Sequence, residues 1–368
     1  MSEPILKMLR VDSGSSIPLA AQLSHQLTLL IASGRLVEGS TLPPVRELAA
    51  QLGINLHTVR AAYRQVEEEG LVSSRQGRRT TVLAYDRNLH ASLAPNVPSF
   101  AIGVVMAAYS PFYAPLLDGI EFASDDPSLI LLCNARDDPR RGLDYLDQLI
   151  ARRVDGIIVV SPSFREEYQE AGGAPPVVYA DWPDAPGPSV NFDLEGAGYA
   201  ATRHLVEHGH SRIGLVTPPT DWSNVAPKFE GFKRAQAEAG IEFDPGLVAM
   251  TDGFGWDDVP AVLPDLIDAP DPPTAIFTMG DTLAIGVLKE LADRAVSVPG
   301  DLALTSSDDI AMASMTSPLL TTVRLPAYEM GAAARTMLDQ IKSGVELDSQ
   351  SIVLATELVI RSSCGCEN

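Results

Sequence analysis

From residue 100 onward, apolar runs of strand length alternate with helical segments, and this rhythm restricts the fold more than any other feature of the chain. The runs fall at 101–106, 129–133, 156–160, 177–180, 213–216, 274–277 and 302–305. Between the first runs, 115–124 places Leu116, Leu117, Ile120 and Phe122 at helical spacing, and 142–154 reads as a second helix. A strand that is apolar along its length is buried on both faces, so the sheets are expected to be parallel with helices on both sides. Roughly 270 residues of this pattern are enough for two lobes. A ligand is then expected beyond the carboxyl ends of the strands, in the cleft between the lobes.

The first 83 residues follow another pattern. After Ile17-Pro18, Leu19, Leu23, Leu27 and Leu30 form one apolar stripe, closed by Ser33-Gly34. A short helix carries Val45, Leu48, Ala49 and Leu52, and Gly53 breaks it. Asn55 is placed to cap a third helix with Val59, Ala62, Tyr63 and Val66 on its inner side, ended by Gly70. Residues 71–82 read as two short strands around a glycine turn. Helix, helix, tight turn, helix and hairpin make an α+β winged helix-turn-helix, whose second paired helix fits a DNA major groove. The domain boundaries follow: 1–83 a DNA-binding domain, 84–98 a linker without periodicity, and 99–368 an α/β, two-lobed domain with parallel sheets.

Charge supports this division. The chain carries a net −21, yet residues 1–83 hold 9 Lys/Arg against 7 Asp/Glu, while the remainder holds 18 against 41. Phosphates repel the acidic part and tolerate the front. No run approaches the length of a membrane span, and the N-terminal residues lack the features of a secretory signal. A cytoplasmic protein is expected.

Residues 17–82 resemble the GntR-family head, through the run from Leu42-Pro-Pro-Val-Arg46 to Asn55-Leu-His-Thr58-Val-Arg60-Ala-Ala-Tyr-Arg64 and through Glu69-Gly-Leu-Val-Ser-Ser-Arg-Gln-Gly77. The resemblance implies that Arg46 clamps a phosphate and that Asn55, His57, Thr58, Arg60 and Arg64 face the groove. Gln76 and Gly77 then form the wing tip. Two positions depart from the family pattern. Leu56 stands where many members read a base with Arg, and Arg79 stands where the wing usually has a second Gly. The competing reading of Arg46 and Arg60 is that they pair with Glu47 or Glu67.

Residues 100–363 resemble the LacI/GalR sensor, which is similar to periplasmic sugar-binding proteins. The residues that carry the likeness are Ile102-Gly-Val-Val with Pro111-Phe-Tyr113, Val154-Asp-Gly-Ile-Ile158, the segment from His204 to Ile213, Val298-Pro-Gly-Asp301, Asp308-Asp309 and Pro318-Leu-Leu-Thr-Thr-Val323. The family's effector positions map onto Phe112, Tyr113, Asp181, Lys228, Asp281 and Asp308, with Trp222 and Trp256 on nearby loops. Three departures mark the pocket. Lys228 replaces a bidentate Arg, Gly280 replaces Asn, and Ser306-Ser307 replace Gly and an aromatic. They suggest an uncommon polar effector, a sugar or a related metabolite. The lobes are expected to hinge where the chain crosses between them, near Phe192 and near Leu325-Pro326.

The resemblance implies a transcription regulator, a repressor by expectation, that binds a double-stranded operator with an inverted repeat as a homodimer and answers to a small molecule. The alternative is a ligand-binding receptor module without a regulatory role. An enzyme is not expected, because no nucleophile–base constellation stands out. The aminotransferase that some GntR heads carry does not fit residues 99–368. His204-Leu-Val-Glu-His208 matches a zinc-peptidase signature, but it lies inside the sensor motif. Cys364-Gly-Cys366 has no second Cys/His cluster beside it in sequence, so it is read as a loose tail. No metal and no cofactor are therefore expected.

Overall fold

The computed structural model describes residues 9–14, 17–32, 36–74, 79–84, 101–124, 128–152, 154–161, 175–347 and 349–366. The wing tip at Gln76-Gly77, the helix stop at Ser33-Gly34 and nearly all of the linker lie outside these residues. Two compact units are present, one within residues 1–99 and one from residue 100 onward.

The first unit has helices α1 (Leu19–Ala32), α2 (Val45–Leu52) and α3 (Leu56–Glu68), then strands β1 (Val72–Ser73) and β2 (Thr81–Val82). The local chemistry is as expected. Gly53 takes the left-handed C-cap conformation (φ 65°) that a side chain resists. The Asn55 carboxamide accepts the His57 N–H at 2.8 Å, starting α3. Leu23, Leu27, Leu48, Val59, Ala62 and Val66 close one small core. The Tyr63 hydroxyl donates to the Pro43 carbonyl at 2.8 Å, tying α3 to the turn that starts α2. β1 and β2 pair antiparallel, Val72 opposite Val82.

In the second unit, lobe 1 contains β3 (Ala101–Met106), α4 (Ala114–Phe122), β4 (Leu129–Asn134), α5 (Pro139–Ala151), β5 (Gly156–Val160), β6 (Val177–Ala180) and β7 (Ser189–Phe192). The chain then enters lobe 2. This lobe contains α6 (Leu194–Glu207), β8 (Ile213–Thr217), α7 (Ala226–Glu238), β9 (Val248–Met250), α8 (Val259–Ile267), β10 (Ala275–Thr278), α9 (Asp281–Asp293), β11 (Ala303–Asp308) and β12 (Thr321–Arg324). Helix α10 (Ala327–Lys342) and β13 (Ser351–Leu354) return to lobe 1, and β14 (Glu357–Val359) closes lobe 2. The chain therefore crosses three times, at the two expected places and again at Ala355-Thr356.

Each lobe is a six-stranded sheet with the same winding. Lobe 1 runs β4-β3-β5-β6-β7-β13, and lobe 2 runs β9-β8-β10-β11-β12-β14. Every pairing is parallel except β12 with β14; Val105 stands beside Val159 and Phe277 beside Leu215. β3, β5, β6 and β10 are buried along their whole length, which is why they read as unbroken apolar runs. Each lobe also has one tight helix pair. A Cβ on Gly119 of α4 would strike the Tyr328 carbonyl of α10, and one on Gly331 would strike that of Leu116. In lobe 2, Gly198 of α6 meets the Lys228 carbonyl and Gly231 of α7 meets that of Glu195. The Gly198 contact sets the position of Lys228, the buried cation of the cleft.

Candidate functional site

In the head, Arg46, Asn55, His57, Arg60 and Arg64 are exposed and Thr58 is half-buried. Arg46 stands at the start of α2; Asn55, His57, Thr58 and Arg60 line the N-terminal turns of α3, opposite its buried face, and Arg64 follows in its third turn. Among the described ion pairs, Arg46 and Arg60 take no part. Arg64 pairs with Glu68 at 3.7 Å on the open surface. Glu67 accepts the Ser74 N–H at 2.6 Å and so anchors the wing. Leu56 is exposed beside these polar groups, and Arg79 is exposed at the base of the wing.

The cleft of the sensor is built at strand carboxyl ends. Phe112 and Tyr113 follow β3 on a short 3-10 turn capped by Ser110, whose hydroxyl accepts the Phe112 N–H. Ser161 follows β5 and Asp181 follows β6. Lys228 sits in the first turn of α7, after β8, and Asp308 ends β11. Three of these residues hold positive φ without being glycine: Ser161 (42°), Asp181 (53°) and Asp308 (120°). Such backbone costs about 1–3 kcal/mol each and clusters at functional sites. Here all three residues lie where strands meet the cleft.

The Tyr113 hydroxyl donates to Asp181 at 2.6 Å. Burial pushes Asp181 up to about 6, against the Tyr113 bond, the Lys228 charge and a bond from Asn224. Burial also pushes Asp308 up to about 8; Lys228 opposes this, while the carboxylates of Asp281 and Asp181 reinforce it. Asp308 keeps partial contact with solvent, as a group facing a cleft does. The Lys228 ammonium lies 3.5 Å from the Ser307 hydroxyl and 5.8 Å from the centre of the Phe254 ring. Phe254 in turn lies 6.0 Å from Trp222, and Phe112 lies 5.8 Å from Phe192. Asn224 of lobe 2 donates to Ser161 of lobe 1 at 3.3 Å, bridging the cleft.

Sequence reasoning missed Ser161, Asn224 and Phe254. Phe254 explains one departure: a Cβ on Gly280 would come within 3.2 Å of the Phe254 ring, so that ring occupies the space an asparagine would need. Two of the expected effector residues are used differently. Asp281 is fully buried, with one carboxylate oxygen accepting the Ile310 N–H at 2.9 Å and the other the Thr322 hydroxyl at 2.7 Å. It fastens the start of α9 to β12, and only its backbone N–H turns toward Asp308, at 3.4 Å. Trp256 is 52% exposed on the 3-10 turn Trp256–Asp258, which packs on α9 at Gly286; no described contact joins its ring to the cleft residues. The tail reading is also corrected. Cys364 is buried, and Cys366 lies against His208 at 3.0 Å.

Two parallel-sheet lobes joined by three crossings, with polar groups converging between them, define a two-lobed ligand-binding protein, here carrying a winged DNA-reading head. Residues 19–82 match the model of bacterial regulatory proteins of the gntR family, and residues 202–364 match the periplasmic binding protein-like domain. The chain is similar to the HTH-type transcriptional repressor CytR of Escherichia coli K12, with 30% identity over 69% of this chain and 75% of that protein. It is equally similar to the HTH-type transcriptional regulator DegA of Bacillus subtilis, 30% identical over 87% and 97%. Among solved structures, the regulator CelR in complex with cellobiose superposes with a TM-score of 0.66, at 26% identity over 87% of this chain and 99% of that one. A LacI-family regulator from Enterococcus faecium with bound ribose gives 0.65, at 29% identity over 72% and 98%. The chain belongs to the LacI-like transcriptional regulators, with a gntR-type head, and is a DNA-binding regulator controlled by an effector. The relatives are regulators rather than enzymes. Among the described residues, no helix is long and apolar enough to cross a membrane.

Proposed function

We propose that this protein is a cytoplasmic repressor that binds an inverted-repeat operator as a two-fold dimer and releases it when a polar, hydroxyl-bearing metabolite enters the cleft. The observation that carries the reading is the meeting of Tyr113 and Asp181 from lobe 1 with Lys228 and Asp308 from lobe 2. A ring with several hydroxyls supplies donors to Asp181, which Tyr113 holds in place, and acceptors to Lys228 and to the protonated Asp308. Phe112, Trp222 and Phe254 offer apolar faces to its C–H side. The cellobiose and ribose bound by two related regulators belong to this ligand class. Lys228, a point charge rather than a fork, and the Phe254 ring against Gly280 narrow the site away from the usual contacts.

In the head, Arg46 grips phosphate, Asn55, His57, Thr58, Arg60 and Arg64 enter the major groove, and Gln76-Gly77 tip the wing. A head this small covers a half-site, so two-fold pairing accounts for an inverted repeat. Phe122 of α4 and Leu129 and Leu132 of the edge strand β4 are exposed and supply apolar surface for pairing. Closure of the lobes about their three crossings alters how paired lobes meet, and thereby the spacing of the heads. A 100-fold loss of operator affinity requires about 2.7 kcal/mol of coupling.

The test is operator binding by fluorescence anisotropy against a panel of mono- and disaccharides, polyols and nucleosides, with light scattering alongside. One ligand should weaken binding of the wild type and leave Asp181→Ala and Asp308→Ala bound. A protein that is monomeric at micromolar concentration and binds half-site and full site equally defeats the dimer. Normal ligand response in both variants defeats the cleft assignment.

A further inference from the structure

The geometry points to a zinc site formed by His204, His208, Cys364 and Cys366, which staples the C-terminal tail to α6. The two motifs are 158 residues apart in sequence, and folding brings them together. Cys366 Sγ lies 3.0 Å from His208 Nε2 and 3.5 Å from His204 Nε2. His204, Cys364 and Cys366 each offer a donor atom, all within 4.8 Å of one another. A tetrahedral zinc ion with bonds of about 2.3 Å to sulfur and about 2.0–2.1 Å to nitrogen sets S and N ligands about 3.6 Å apart. Both imidazole nitrogens already stand near that spacing from Cys366 Sγ.

The hydrogen bonding points the same way. His208 Nδ1 lies 2.7 Å from the His204 carbonyl oxygen. A carbonyl only accepts, so Nδ1 carries the proton and Nε2 keeps its lone pair, directed at Cys366. Metal-bound histidines are commonly oriented by this arrangement, with the second ring nitrogen donating to a backbone carbonyl. The two imidazoles share one face of the helix end, with ring centres 4.3 Å apart. The cysteines are held independently of any ion: the Ser363 hydroxyl accepts the Thr321 N–H and donates to the Leu304 carbonyl, and Thr321 donates to Cys364 Sγ at 3.1 Å.

The donor chemistry selects the ion. Two thiolates and two imidazoles suit zinc and do not suit magnesium or calcium. Four protein ligands leave no open position for substrate, so the role is structural. Glu207, the base that the peptidase signature requires, points away and pairs with Arg203 at 2.8 Å. His208 is exposed and gives the ion a way in. Bound metal joins α6, which follows the first crossing, to the tail that follows the third, and so stiffens lobe 2 at both ends.

The experiment uses full-length protein, kept reduced and stripped with chelator, then titrated with cobalt(II) and back-titrated with zinc. The expected result is one equivalent of cobalt with the ligand-field bands of a tetrahedral thiolate complex, displaced by zinc, and a melting temperature that rises with zinc. Cys366→Ser and His208→Gln should each weaken zinc binding at least about 10-fold while leaving the metal-free melting temperature and operator affinity unchanged. Absence of thiolate–cobalt bands in protein whose thiols all titrate as free overturns the site. So do bands that persist unchanged in Cys366→Ser.

Discussion

In the head, Arg46, His57 and Arg60 project into solvent from α2 and α3, whereas in the sensor Asp181 and Lys228 are 4% and 3% exposed and depend on each other. The two surfaces recognise ligands by different electrostatics. A solvated cation keeps its hydration until phosphate replaces it, so its attraction is long-ranged, salt-sensitive and of little consequence for stability. A buried carboxylate has already lost its hydration, and its energy depends on one neighbour and on pH. Charge removal should therefore separate the two regions, costing binding alone in the head and binding together with stability in the cleft.

The largest effect is expected at Lys228. Lys228→Met removes the cation that faces Asp181 and Asp308, and breaking a buried charge arrangement on one side costs about 3 kcal/mol or more. Thermal unfolding at pH 8 should show this loss, and the effector response should vanish. An unchanged melting temperature would mean that the cleft is as wet as the head.

Next come Arg46→Ala and Arg60→Ala, each weakening operator binding by about 1–3 kcal/mol with the melting temperature unmoved. Raising salt should reduce the difference from wild type. Arg64→Ala should lose less, because its guanidinium is shared with Glu68, and that exposed i,i+4 pair contributes about 0.3–0.5 kcal/mol to stability. A fall in melting temperature for Arg46→Ala or Arg60→Ala would give them the structural role that their exposure argues against.

The smallest effect has the opposite sign. Asp308 is raised to about 8 in the folded protein, above its ordinary value of about 3.9, so the folded state holds the proton more tightly. Its contribution to stability is complete below pH ~4 and declines as pH rises toward 8. Asp308→Asn removes that decline. Between pH 5 and 8 the melting temperature of the wild type should fall relative to the variant, and at pH 8 the variant should be the more stable of the two while failing to respond to effector. Parallel pH profiles would place Asp308 in a solvated setting.

Much of the architecture was legible in the residues themselves. The apolar runs became β3, β5, β6, β8 and β10 nearly to the residue, and Gly53 and Asn55 punctuate the head as expected. The strands that went unread, β7, β9, β12, β13 and β14, are short. β7 and β12 carry polar residues such as Asn191 and Thr322 within the sheet, and β13 alternates between exposed and half-buried positions. In the cleft, Tyr113, Asp181, Lys228 and Asp308 stand at the strand ends where the resemblance placed them, but Asp281 was given the same role as Asp308. The two differ by where they stand. Asp281 opens a helix and is consumed by the Ile310 N–H and the Thr322 hydroxyl, whereas Asp308 ends a strand and faces the cleft.

What the sequence determined by itself was which face of each helix is buried and which strands are buried on both faces, because helix burial follows a period of 3.6 residues, doubly covered strands read as unbroken apolar runs, and caps act within a few positions. What only the tertiary structure decided was which loop residues meet. Ser161, Asn224 and Phe254 have no period. Their encounter depends on how closely α6 lies on α7 at Gly198 and Gly231 and on where the chain crosses between lobes. The same holds for the HxxEH helix and the CGC tail, each uninformative alone. Only the winding of lobe 2, which lays the end of the chain beside the end of α6, sets Cys366 against His204 and His208.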